Sequence, residues 1–410
     1  MAHTTNDSCR LCGSSALEMV LSLGETPLAN MLLAEADLHI TEKRYPLNLL
    51  FCTDCSLVQI RENVSPEQLF REYLYFSSFS DTTLKNAAEI AGRMIRERSL
   101  DRGSLVAEVA SNDGYLLQNF KEKGIPVLGI EPAENIARVA REKGIPTRSE
   151  FFGRDFAQAL LDEGLQADLI FANNVLAHVP DLNGFVQGLK VFLKEGGIAV
   201  IEVPYVRDMV DKGEFDTIYH EHLCYFSVTA LHRLFRKNGM VLHDVERISI
   251  HGGSLRLFAA HEGLAQGGSV ERILQEESEI GMERPAYYRD FAGRVEKLKI
   301  ELCELLERLK GEGCTIAAYG AAAKGATLLN YFKIGGELID FVVDRSTYKQ
   351  GLYMPGSRIP IGDPRLLLEK QPDYVLLLAW NFAAEILEQQ SEYRAAGGKF
   401  IIPIPKLQLV

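Results

Sequence analysis

The chain has 410 residues, 47% hydrophobic and 24% charged, with a net charge of -12. That length asks for two or three domains, and the composition is that of a soluble globular protein. The acidic balance excludes a general nucleic-acid binder, and no apolar run approaches the roughly 20 residues that span a bilayer.

The opening MAHTTNDSCR has no apolar signal region, so a cytoplasmic location is expected. Two CxxC pairs follow, Cys9-Arg-Leu-Cys12 and Cys52-Thr-Asp-Cys55. Each can form a knuckle that aims two thiolates at one ion, and two knuckles complete the closed tetrahedral site of structural zinc. Reduced thiols or a redox pair are the alternatives, but the duplication and the lack of an adjoining βαβ pattern count against them. Four thiolates leave no open position, so this zinc is assigned no catalytic role. The intervening Gly24–Asn30, GETPLAN, is too ordered in composition to be a linker.

Pro66–Arg98 reads as helical and carries an aromatic patch, Tyr73-Leu74-Tyr75-Phe76. Leu105–Val109 is an apolar run, Ala110–Gly114 a small polar turn, Tyr115–Gly124 has helical spacing, and Val127–Ile130 is a second apolar run closed by Glu131. This strand–turn–helix–strand unit suits a nucleoside: the turn admits a ligand to backbone N–H groups, and the acid can hold two ribose hydroxyls. The turn has one glycine, not the GxGxxG of a pyrophosphate cradle, which favours S-adenosylmethionine over a dinucleotide. Glu108 and Asn112 suit the methionine end and Glu131 the ribose. Ala110 and Gly114 of the turn, Pro132 after the acid, and Asn174 complete the cradle. Asn173, at the tip of the strand Asp168–Asn173, and His178 border the transferred methyl. A helix over Leu182–Leu193, the turn Lys194–Gly197 and the strand Ile198–Val203 continue a doubly wound, mostly parallel α/β sheet.

The stretch Glu214–Phe226, EFDTIYHEHLCYF, follows the fifth strand. In isolation a His-Glu-His run reads more often as a polar surface turn, but its place after the fifth strand, where a methyltransferase has substrate contacts, favours a functional segment. If extended, it puts His220 and His222 on one face and Glu221 on the other. Histidine is a natural general base near neutral pH. Arg256, in HGGSLRL, can meet a phosphate or a surface carboxylate. Ser269–Gly313 is a charged helical connector whose seam of Val295, Leu298, Leu302, Leu305 and Leu309 packs on its own domains. From Cys314 a second Rossmann-like unit begins: Thr315–Tyr319 as a strand, a GAAAKG turn with Lys324, and a strand Ile339–Asp344. Tyr374–Trp380 is a further buried strand, ending at Asn381.

The two knuckles, EVASNDGY, NNVLAHVP, YHEH, HGGSLR, YGAAAKGATLLNYF and VDRSTYKQG occur in this order over essentially the whole chain. Together they resemble the sugar C-3 methyltransferases acting on dTDP-linked 4-keto-6-deoxy sugars, such as the tetronitrose and kijanose pathway enzymes. The resemblance implies a zinc-binding domain over 1–65, a class I methyltransferase domain over 66–268, a connector over 269–313 and a C-terminal Rossmann-like, substrate-binding domain over 314–410. It implies His222 as base, with Tyr219, Glu221, His178 and either Tyr73 or Tyr75 around the sugar. Lys324, Arg256 and Lys349 are expected on the diphosphate, with Asn330 and Asn381 also on the substrate side. The expected partners are S-adenosylmethionine, structural Zn2+ and a dTDP-linked keto-deoxysugar, with no nucleic acid or membrane, in a monomer or weak homo-oligomer. An O- or N-methyltransferase, a nicotinamide-linked oxidoreductase and a non-catalytic scaffold are the rival readings.

Overall fold

The computed structural model describes residues 4–70, 76–264 and 266–410. The expected substrate contacts Tyr73 and Tyr75 lie outside the described residues.

Three larger sheets organise the described residues. The central seven-stranded sheet runs Met240–Ile248, Ser254–His261, Leu193–Pro204, Ala167–Asn173, Val106–Val109, Val127–Ile130, Thr147–Arg148. Only Ser254–His261 is reversed, pairing antiparallel with both of its neighbours. This order is the class I methyltransferase sheet. Its middle strands are buried and mostly apolar because helices cover both faces. Strand order reverses between Val106–Val109 and Ala167–Asn173, which opens a ligand crevice at their carboxyl ends.

The N-terminal sheet is antiparallel: Leu17–Thr26, Tyr45–Cys52, Val58–Ile60, and then Cys224–Tyr225. That last strand comes from beyond the fifth strand of the central sheet, so the two units interlock. The C-terminal sheet runs Ile361–Gly362, Val342–Val343, Ile316–Tyr319, Tyr374–Leu377, Lys399–Ile402, Gln408–Leu409, with only the last strand antiparallel. This is a Rossmann-like order. In the helix Phe291–Gly311, Val295, Leu302, Leu305 and Leu309 are buried and Leu298 partly so, all against the chain's own core.

Two expectations are corrected. The helix expected over Tyr115–Gly124 shortens to Gln118–Lys121, because Asn112 (φ +50°) and Gly114 (φ +79°) are left-handed and delay its start. The YHEH stretch is a turn, not an extended segment: the His222 N–H donates to the Tyr219 carbonyl at 2.9 Å. His220 and His222 therefore do not share a face. No helix among the described residues is long and apolar enough to cross a membrane.

Candidate active site

A cavity of about 1060 Å³ lies where the three sheets meet. Its wall takes Asn30 from the N-terminal unit and Ala110, Asn112, Glu131, Pro132, Asn173, Asn174 and His178 from the central crevice. Thr217, Tyr219 and His222 come from the turn, and Tyr319, Lys324, Arg345, Lys349 and Asn381 from the C-terminal unit.

The crevice is shaped by backbone in the left-handed region: Ala110 (φ +53°), Asn112 (φ +50°) and Asn174 (φ +53°). For alanine this costs about 1–2 kcal/mol, and such strain gathers at ligand sites. Glu131 accepts from the N–H of Ala133 through one oxygen and of Asn112 through the other, both at 2.9 Å. Burial pushes its carboxyl up to about 7, against those two bonds. Each oxygen keeps a lone pair for a ribose hydroxyl. The buried Asn173 Oδ1 has no hydrogen-bond partner among the described residues. An ammonium group would satisfy it, so the donor set fits S-adenosylmethionine. Glu108 and Gly114, expected as cofactor contacts, lie outside the cavity wall. Glu108 is wholly buried, and burial reinforced by Asp113, Glu131 and Glu202 pushes its carboxyl well above the usual range.

Within the turn, the His222 ring lies between Tyr219 (centroids 4.1 Å apart) and His178 (4.8 Å). His222 Nδ1 is 2.9 Å from the Thr217 carbonyl oxygen, which can only accept, so Nδ1 carries the hydrogen. Nε2 is then a lone pair facing the Tyr219 hydroxyl at 2.7 Å. His178 donates from Nδ1 to the Glu221 carbonyl at 2.8 Å. Burial holds it neutral, down to about 4. A neutral ring has one N–H, here already spent on that carbonyl, so His178 brings no further N–H to the cavity it lines. Glu221 is buried outside the cavity wall, its carboxylate accepting from Asn30. His220 points to the N-terminal unit, 3.0 Å from the Pro46 carbonyl.

On the opposite wall, Lys349 Nζ donates to the Ala321 carbonyl at 2.8 Å and lies 3.7 Å from Asp344. Lys324 sits at the start of the helix Ala323–Phe332, 4.5 Å above the Trp380 ring. Burial lowers its pKa, while Asp216 and Glu214 oppose that. Two expected substrate contacts are not in the wall. Arg256 is buried against Glu202, 2.7 Å away, because antiparallel register places the two opposite each other. Asn330 donates to the Ala326 and Pro355 carbonyls and pins the loop that packs on its helix. Residues the sequence reading missed are Asn30, Thr217, Tyr319 and Arg345. The ordered GETPLAN composition and the VDRSTYKQG motif were the available signals for Asn30 and Arg345.

Apart from the cavity, the Sγ atoms of Cys9, Cys12, Cys52 and Cys55 all lie within 4.8 Å of one another, with Cys9–Cys55 at 3.4 Å and Cys12–Cys52 at 3.6 Å. A tetrahedral four-sulfur zinc with bonds near 2.3 Å needs sulfurs about 3.8 Å apart. The four cysteines fit that ion.

Residues 9–70 match a zinc binding domain family model, residues 76–245 a methyltransferase domain model, and residues 249–405 the model of a C-methyltransferase C-terminal domain. The C-methyltransferase NovU of Streptomyces niveus is 36% identical over 409 residues, covering 98% of this chain and 97% of that protein. A ubiquinone biosynthesis O-methyltransferase of Acinetobacter baylyi is 24% identical over 139 residues, 30% of this chain and 58% of that protein. Among solved structures, magnesium protoporphyrin IX methyltransferase of Synechocystis PCC 6803 with bound S-adenosylmethionine overlaps 44% of this chain and 79% of its own at 15% identity, with a TM-score of 0.34.

Proposed function

This chain belongs to the C-methyltransferase family, and from that premise we propose that it methylates C-3 of a dTDP-linked 4-keto-6-deoxy sugar. The observation that carries the reading is His222, which lines the cavity with its Nδ1–H fixed on a backbone carbonyl and its Nε2 lone pair against the hydroxyl of Tyr219, another wall residue. A carbon nucleophile needs such a base, because its proton must be removed before it can attack.

The 4-keto group acidifies the neighbouring C-3 proton. His222 Nε2 takes that proton, and the Thr217 carbonyl stabilises the imidazolium through Nδ1–H. The Tyr219 hydroxyl turns from Nε2 to the developing enolate oxygen and donates to it. Glu131 and Asn173 hold the methyl donor's ribose and ammonium groups in the crevice. Bound there, S-adenosylmethionine supplies the methyl group that C-3 takes up. Lys349 and Arg345, with Lys324 and Asn381, receive the nucleoside diphosphate on the C-terminal wall.

The test is a panel of dTDP-4-keto-6-deoxy sugars with S-adenosylmethionine, read by mass spectrometry, alongside deuterium wash-in at C-3 without the methyl donor. Wild type is expected to show both, and His222→Asn neither. Methylation by wild type without exchange, or a wild-type rate in His222→Asn, would sink the reading and point to an O- or N-methyltransferase.

A further inference from the structure

The N-terminal unit reaches the reacting turn in two independent ways. Its sheet takes Cys224–Tyr225 as an edge strand against Val58–Ile60, and the Ile60 N–H donates to the Leu223 carbonyl at 3.0 Å. From the loop after Leu17–Thr26, the Asn30 amide donates through Nδ2 to both Glu221 carboxylate oxygens, at 2.8 and 2.9 Å. Glu221 is only 2% exposed. It stands between His178, which bonds its carbonyl, and His222, the next residue in the chain. The same N-terminal loop continues to the third unit: Leu33 pairs with Tyr353, and Glu42 accepts from the Gly356 N–H.

We propose that Asn30 is a positioning residue: by clamping the Glu221 carboxylate it holds the turn that presents His222, which makes the four-cysteine domain part of the reaction machinery. This rests on the reading of His222 as the base. The geometry is that of a group in the next layer orienting the group that reacts. Burial disfavours the Glu221 carboxylate and brings its carboxyl to about 7, while the Asn30 bond and the charge of Lys349 oppose that. His220 and His222 flank Glu221 in sequence, and His178 faces its carbonyl. Without the amide, the carboxyl takes up a proton at neutral pH and the clamp is lost.

The experiment uses the full-length, zinc-loaded chain as Asn30→Ala, Asn30→Ser, Glu221→Gln and the Asn30→Ala/Glu221→Gln double variant. Loss of the amide is expected to lower kcat by about 10- to 100-fold with KM nearly unchanged, and to move the acidic limb of the kcat profile to higher pH. In the Glu221→Gln background the Asn30 change should add nothing, because the two act as one unit. A second readout needs no sugar. Removing a donor to the charged form raises the carboxyl pKa, so the Tm deficit of Asn30→Ala against wild type should widen as pH rises through about 7 and vanish in the Glu221→Gln background. If alanine does not fold, serine, which keeps a donor hydroxyl, serves instead. An unmoved pH profile with additive effects would overturn the proposal. A wild type that makes no methylated sugar yet keeps the pH-dependent Tm signature would refute the substrate reading and leave the clamp standing.

Discussion

Arg256 separates two explanations most sharply. Its Nε and Nη2 lie 2.8 and 2.7 Å from Glu202, Nη2 donates to Asn86 at 2.8 Å, and Nη1 lies 3.6 Å from Glu246. Glu202 is 2% exposed, and among the described residues the other hydrogen-bond partner of its carboxylate is the Asn86 amide, at 3.4 Å or more. Arg256→Met keeps most of the side-chain volume but strands this carboxylate. Breaking one side of a buried pair costs about 3–5 kcal/mol. At about 2–4 °C per kcal/mol for a unit of this size, Tm should fall by roughly 6–20 °C. The double variant Arg256→Met/Glu202→Leu should recover most of that loss, since an apolar pair of similar volume is often as stable as the ion pair. Thermal unfolding and steady-state kinetics on the same preparations decide the matter. KM for the proposed sugar-nucleotide substrate should stay within about twofold of wild type below the unfolding temperature. A Tm near wild type with a KM raised about tenfold or more would refute the argument and return Arg256 to a phosphate.

Tyr219→Phe keeps the ring packed on His222 but removes the hydroxyl proposed as the oxyanion donor, so kcat should fall about 10²- to 10³-fold with little change in KM, measured by product formation. Chelation of zinc frees the sheet on which Cys224–Tyr225 is an edge strand; methyl transfer should be lost while S-adenosylmethionine binding, followed by calorimetry, persists. Burial raises the carboxyls of Glu131, Glu214 and Glu221 to about 7. Their folded values exceed the unfolded ones, so the folded state binds these protons more tightly and its stability falls as pH rises through about 7. In a thermal-unfolding series without ligand, Tm should be higher at about pH 6 than at about pH 8.

Local spacing was enough for several features. The two CxxC pairs pre-form their knuckles within four residues each. The apolar run, single-glycine turn and acid of Leu105–Glu131 are likewise local, and the crevice has Glu131, Asn112 and Ala110 in its wall. The βα alternation was legible because strands buried on both faces read as continuous apolar runs. By contrast, which polar residues face the ligand was not legible. Arg256 and Lys324 are both basic residues beside small-residue turns, yet cross-strand register delivers the first to Glu202, while the first turn of the helix Ala323–Phe332 puts the second in the cavity wall. Period-two alternation misplaced His220 and His222, because an i→i+3 hydrogen bond makes the stretch a turn.

By itself, then, the sequence determined the parts: a four-thiolate zinc domain, a methyl-donor crevice and a second Rossmann-like unit, each written in contacts a few residues apart. Only the tertiary structure decided how they share one site. The Asn30–Glu221 clamp joins residues 191 positions apart, and the zinc sheet closes on the strand Cys224–Tyr225. The physical reason is that hydrogen bonds and buried charges are satisfied by whatever partner packing brings within reach, and long-range packing leaves no periodicity in the chain.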